Sequence, residues 1–235
     1  MATPITLRNL IWLVAMTILT GRVSAQQIQA KTELQSAFID ITGLFGVDEP
    51  ANVTQFSYLH KDFGLDLYHG FSLQHFGKTI QSIVTPSYNF KLDDSGKVYL
   101  KPKVEIANIE VTGGGFVRPG FHFIYKPKKN QVLNIGSWLF HDFRDEELYP
   151  NRLNGFTVAA SYQVVAEHDK WKWSNELRFL YVDVEQTLET AGALVITQVT
   201  YKPLNLYIGG SAFHSVYRSD DKSLFNWNLV IGKSF

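Results

Sequence analysis

Eight charged or titratable side chains carry most of the chemistry this sequence offers. Lys101, Lys103 and Glu105 fall in one segment, Arg118 and His122 in the next, and Lys172, Glu176 and Arg178 further along. Within each group the spacing is even, so in an extended chain, where side chains alternate with period two, each group shares a face. Sequential antiparallel segments pair with each other. The first two groups then meet as a basic patch holding one acid. Such a patch reads in two ways. Grouped cations focus a field that draws in anionic solutes such as phosphates or nucleotides. Alternatively, Glu105 with Arg118, and Glu176 with Arg178 or Lys172, are ion pairs that satisfy a narrow interior.

Covalent chemistry finds little support. The nearest nucleophile and base are in Ala212-Phe213-His214-Ser215, followed by Asp220 and Asp221. Adjacent residues of a strand point to opposite faces, so His214 and Ser215 cannot form the hydrogen-bonded pair that an activated serine needs. His69 and His75 share a face, but six residues of strand separate them by about 20 Å, too far for one metal ion. There is no phosphate loop or dinucleotide fingerprint, and no cofactor or metal is expected.

The elements that must position these residues are strands. Between polar or glycine-rich breaks, the chain divides into segments of the length expected for tilted membrane strands: residues 33–45, 52–60, 65–76, 80–92, 97–110, 116–126, 131–143, 155–166, 171–184, 193–201, 204–217 and 223–235. That makes twelve, or ten plus an N-terminal segment if the first is not a strand. With an even count both termini lie at one end. The tight breaks KDFG, DDSG, PKKN, EHDK and KP then share that end, and the longest breaks lie at the other, which is the asymmetry of periplasmic turns and external loops.

The first 25 residues read as a cleaved signal peptide: Arg8, then an apolar run from Leu10 to Thr20, then Val23-Ser24-Ala25 before Gln26. Residues 26–32 read as a short N-terminal segment, and 33–235 as the barrel. The 235-residue chain balances 22 basic against 22 acidic side chains, so nothing favours a nucleic-acid polymer as partner. It has no Cys, so an exported fold cannot depend on disulfides. Aromatics make up 14% of the chain, yet beyond residue 25 no apolar stretch reaches helical membrane length. A barrel that hides its lipid-facing residues in alternation accounts for both facts, and a soluble sandwich or lipocalin-like barrel is the alternative.

Residues 171–184 separate these two. Trp171, Trp173, Leu177, Phe179 and Tyr181 alternate with Lys172, Ser174, Glu176 and Arg178. Charges facing inward suit a water-filled lumen better than a dry core. With the apolar faces turned outward, the other polar positions expected inside are Asp40, Gln55, Asp66, Tyr68, Gln74, Asn89, Asn134, Gln163, Asn205, Tyr207, Ser211, Asn226 and Asn228.

In the terminal SLFNWNLVIGKSF, the residues Phe225, Trp227, Leu229 and Ile231 alternate with Asn226, Asn228, Val230 and Gly232, and the segment closes on Phe235. It resembles the last strand of bacterial outer-membrane β-barrels. That resemblance implies an all-β, transmembrane, antiparallel up-and-down barrel in the bacterial outer membrane. Its partners would be outer-membrane lipid and the barrel-insertion machinery, with Phe235 as part of the insertion signal. Within the class, residues 55–77, QFSYLHKDFGLDLYHGFSLQHFG, are similar to an early hairpin of the Tsx-type nucleoside-channel family, in which an aromatic-rich strand runs through a Lys-Asp-aromatic turn. The resemblance implies twelve strands and a narrow polar lumen. Three functions follow: a narrow channel or binding barrel for small polar or anionic solutes, a structural barrel of an envelope complex with a plugged lumen, or a lipid-modifying enzyme.

Overall fold

The computed structural model describes residues 26–39, 46–47, 49–75, 78–109, 114–142, 154–184, 188–220 and 224–235. Twelve long strands run through them: β1 (Gln26–Gln35), β2 (Ala51–His60), β3 (Phe63–Ser72), β4 (Thr79–Tyr88), β5 (Val98–Ile109), β6 (Gly114–Lys128), β7 (Gln131–Asp142), β8 (Asn154–His168), β9 (Trp171–Val184), β10 (Leu188–Tyr201), β11 (Leu206–Arg218) and β12 (Phe225–Ser234). Each pairs antiparallel with its sequence neighbours, β4 with β5 through Ser82↔Asn108 and Ser87↔Lys103. The circle closes where β1 meets β12, from Lys31↔Ser234 to Gln35↔Val230. Each of the twelve strands thus has a partner on both sides, and only residues 26–29 of β1 run on past the end of β12.

The period-two pattern decides which way each strand faces. On β12, Phe225, Trp227, Leu229 and Ile231 are 55–61% exposed, while Asn228 between them is buried. Apolar residues turned outward and polar residues turned inward are the signature of a wall bathed in lipid. Near the tight turns this wall ends in aromatic rings, among them Trp171 against Tyr201 at 4.9 Å and Tyr88 against Phe90 at 4.6 Å. Amphipathic rings at that level suit a membrane–water boundary.

The turns fall at the end of the barrel that carries Gln26 and Phe235. Three of them place a non-glycine residue at positive φ: Lys61 (54°), Asp169 (47°) and Asn205 (52°). Between β4 and β5, a short extension, Phe90–Lys91, pairs with Tyr99 and Leu100. Asp93 organises that turn. The Ser95 hydroxyl donates to its carboxylate, as do the backbone N–H groups of Val98 (2.7 Å) and Lys97 (2.9 Å), and these bonds hold the carboxyl below the usual aspartate range.

Most boundaries differ from the sequence reading by one or two residues; the larger differences are at the ends of β1, β3 and β4, which stop at Gln35, Ser72 and Tyr88 and not at residues 45, 76 and 92, and at two strand starts. β1 begins at Gln26, so residues 26–32 are wall and not a leading segment. Its lipid face, Ile28, Ala30, Thr32 and Leu34, has too little apolar contrast for alternation to reveal it. β10 begins at Leu188 and not at Ala193. Glu189 reads as loop, but it stands on the outer wall at the loop end, where it accepts hydrogen bonds from Tyr181 and Tyr217. Gln74, Asn89 and Asn205 lie in connections outside the long strands and not on the inner wall, because the strands stop short of them. Asp40, like residues 1–25, lies outside the described residues.

The closure seam is stitched from within. Glu33, Gly232 and Tyr207 form one row across β1, β12 and β11. A Cβ at Gly232 would overlap the Tyr207 ring. Its absence lets that ring lie across β12, where the hydroxyl donates to Glu33 Oε1 at 2.8 Å. Lys31 Nζ (3.0 Å) and Gln35 Nε2 (2.9 Å) donate to the same carboxylate. Gly232→Val should displace the ring and cost roughly 1–3 kcal/mol. The check is the urea midpoint of vesicle-refolded protein, and an unchanged midpoint would show that the seam does not rely on this stitch.

Candidate functional site

The lumen has two levels with different chemistry. In the loop-end half, inward side chains are buried on every strand. They include Gln35 on β1, Val53 on β2, Ser72 on β3, Ile83 on β4, Ala107 on β5 and Phe116 on β6. Trp138, Ala159, Leu180, Leu194, Phe213 and Asn228 continue the circle on β7 to β12. Most of this level is apolar, and Phe213 has no exposed surface at all. Trp138, Ala159, Leu180, Val182, Val184, Leu194 and Phe213 pack as a single cluster. An open bore would leave such side chains wetted, so their burial marks this level as a dry constriction.

In the turn-end half, inward residues are mostly polar, some half-buried and some, such as Glu33, Glu105, Arg118 and Tyr207, buried. A cavity of about 520 Å³ opens there. Its wall includes Lys31, Lys101, Lys103 and Arg178 among cations, Glu33, Asp66 and Glu105 among acids, and Gln55, Tyr68, His122, Asn134, Gln198, Tyr207, Ser211 and Asn228 among neutral polar groups.

Pairing of β5 with β6 sets Lys101 opposite His122 and Glu105 opposite Arg118. Glu105, 2% exposed, takes both nearby cations: Lys103 Nζ at 2.5 Å from Oε1, and Arg118 Nε at 2.6 Å from Oε2, with the Arg118 terminal nitrogen also in contact. Trp138 forms the back of this cluster. Lys103 Nζ lies 5.1 Å and the Arg118 guanidinium 5.7 Å from its ring, and His122 stacks on it at 5.2 Å. His122 Nδ1 is 2.9 Å from Asn134 Oδ1. Two cations on one carboxylate, desolvated against an indole face, make a rigid group with an excess of one positive charge. Lys101, next along the same face, has no hydrogen-bond or ion-pair partner among the described residues and leaves a positive charge facing the cavity.

The third predicted group divides. Arg178 lines the cavity and donates to Glu176 Oε1 at 2.7 Å, three strands round from β6. Lys172 lies nearer the turn end, cross-strand from Glu167 and outside the cavity wall. Phe235 exchanges backbone hydrogen bonds with Ala30; the residue is 69% exposed, and Lys233 Nζ lies 5.1 Å from its ring.

Sequence reasoning missed Lys31, which precedes the first predicted strand (residues 33–45), and Glu33 and Gln35, which fall on the other face of that strand once Asp40 is taken as inward. It also missed the inward aromatics Phe116, Trp138 and Phe213. At the loop end both faces of several strands are apolar, so period two offers no contrast. Glycines opposite large residues are the available signal. A Cβ at Gly192 would overlap Phe213, and one at Gly136 would crowd Trp138 and His122.

Nucleophile geometry is weak. Ser215 exchanges both its hydrogen bonds with the Leu224 backbone, and His214 faces the opposite way. His69 Nδ1 does lie 2.8 Å from Ser82 Oγ, but Ser82 is only 6% exposed and the pair sits on the lipid face, where neighbouring strand amides are committed to the sheet.

No family model matches the chain, and no curated protein is similar to it in sequence. Solved structures do match in fold. The NanC porin aligns at a TM-score of 0.58 and 13% identity, covering 89% of this chain and 99% of that one. An outer-membrane channel from Pseudomonas putida F1 aligns at 0.56 and 9% identity, covering 91% and 97%. The likeness is one of fold: this chain is an outer-membrane β-barrel, and its apolar outer wall suits it to that membrane.

Removing the acid from the cation cluster tests its energetics. Glu105→Gln leaves Lys103 and Arg118 desolvated without a counterion and should destabilise the barrel by about 3–5 kcal/mol. Asp66→Asn, which breaks no ion pair among the described residues, should cost far less. Equal unfolding midpoints for the two variants in urea would contradict this assignment.

Proposed function

We propose that this barrel is a narrow outer-membrane channel which binds small polar or anionic solutes in its turn-end cavity and passes them through an apolar gate. The observation that carries this reading is the division of the lumen. A polar chamber with paired charges and one uncommitted lysine lies beneath a buried apolar level, whose largest cluster holds Leu180, Leu194, Trp138 and Phe213. Apolar constrictions gate by dewetting: they bar ions while closed and conduct once widened enough to hold a continuous water column. Twelve strands enclose more room than eight, whose interior side chains fill, and less than the 16 to 18 of aqueous porins.

The fold shared with a porin and a channel supports this reading. The resemblance of residues 55–77 to the Tsx-type hairpin makes nucleosides and nucleotides the first solutes to try. Lys101, Lys103 and Arg178 would meet an anionic group, and the amides and hydroxyls around them would meet its polar remainder. In the same reading the last strand, with Phe235, is what the insertion machinery engages. The buried ring also favours a second reading, a closed structural barrel whose loops bind an envelope partner.

Conductance in planar bilayers separates the two. The wild type should give small, intermittent currents, and Phe213→Ala should raise the open fraction severalfold. No current from either protein, with no solute uptake into liposomes, would overturn the channel and leave the structural barrel.

A further inference from the structure

The outer wall is not uniform. Across the first strands, one cross-strand row on the lipid face consists of Thr32, Thr54, His69 and Ser82, paired in that order from β1 to β4, and Asn108 on β5 extends it. The row below it is Ala30, Phe56, Leu67, Val84 and Ile106. Above it the row is mixed: Leu34, Asn52, Phe71 and Thr79. With a wholly apolar row beneath it, the polar row stands above the turn-end boundary and within an apolar band about 25 Å tall. Each of the first four residues stands six positions from the turn end of a ten-residue strand, about 14 Å up a tilted wall.

Internal bonds satisfy part of this row: Asn52 Nδ2 donates to Thr32 Oγ1 (3.3 Å), Thr54 to Asn52 Oδ1 (3.5 Å), and His69 pairs with Ser82. The wall from β9 to β12 differs. There β9, β11 and β12 present Leu177, Phe179, Ile208, Trp227 and Leu229, and polar residues form no row: Asn175 and Thr197 satisfy each other at 2.7 Å, and His214 stands against the Phe225 ring at 6.3 Å.

Lipid chains offer nothing to a polar row, whereas protein does, and in membranes polar and small residues join one element to another. We propose that the outer face of β1 to β4 docks against the same face of a second copy of this chain. The chemistry selects that occupant. The row carries no formal charge when His69 is neutral, and every side chain in it both donates and accepts. It is therefore complementary to itself about a two-fold axis along the membrane normal, where row meets row with residue i facing j and j facing i. A charged partner would find no counter-charge here. Four strands at about 4.8 Å spacing give a contact face roughly 19 Å wide, the scale of one side of a small dimer interface.

The chain has no Cys, so single cysteines report contacts without background. Thr54→Cys is expected to form a disulfide-linked species of twice the monomer mass when native outer membranes are oxidised. Phe179→Cys, on the opposite wall, should remain monomeric. Replacing Thr32 and Thr54 with valine and Asn52 with leucine should halve the particle mass in detergent. Heat-dependent gel migration would show that this variant is still a folded barrel, since the changes only make a lipid face more apolar. The proposal is overturned if Thr54→Cys stays monomeric, if both cysteines cross-link equally, if the adduct carries a different protein, or if the apolar variant keeps the wild-type mass.

Discussion

Within a bilayer no water is available to hydrogen-bond a free backbone N–H or C=O, so a sheet that crosses it must close on itself. The pairing of β1 with β12 meets that constraint here, and much of the rest depends on it. Closure at twelve strands sets the bore. Closure also fixes which residues face inward, because alternation on a closed wall allows only one choice of lipid face. The stitch of Tyr207 across Gly232 to Glu33 places a buried hydrogen bond at the one pairing formed by residues distant in sequence, β1 with β12, whose local hairpin contacts cannot help it.

A bore of this size can be neither wholly filled nor wholly open, and the chain resolves this by height. Towards the loop end, large inward side chains meet glycines and alanines on neighbouring strands and fill the section. Towards the turn end, inward side chains are long, polar and charged, and they stand back against the wall by pairing with one another. Glu105 shows how such pairing works: one carboxylate draws two cations onto the wall and against Trp138, which clears the centre and leaves Lys101 as the charge a solute would meet.

Much of this arrangement was legible in the sequence wherever the two faces of a strand differ in polarity. On β9 and β12 a hydrated inner face opposes an apolar outer one, and alternation assigns both without ambiguity. The grouping of Lys101, Lys103 and Glu105 with Arg118 and His122 follows from sequential pairing in the same way. Legibility failed where the contrast disappears. β1 has alanine and threonine on its lipid face, so its start was misplaced and Lys31 left out, and with the face unassigned Glu33 and Gln35 were not read as inward. At the loop end Phe116, Trp138 and Phe213 turn inward beside outward apolar neighbours, and no period distinguishes a gate residue from a lipid anchor. The polar row on the outer wall depends on register across five strands, which no single segment reveals.

Solute binding below and gating above both require a lumen that is wet at the turn end and dry at the loop end. Single cysteines placed on the two levels measure this directly in a chain that has none of its own. With the protein in native membranes, Ser211→Cys on the cavity wall should react readily with a small water-soluble thiol reagent, and Ala159→Cys in the apolar ring should resist it. Comparable reaction rates at both positions would show a continuous water column through the barrel and contradict the two-level lumen.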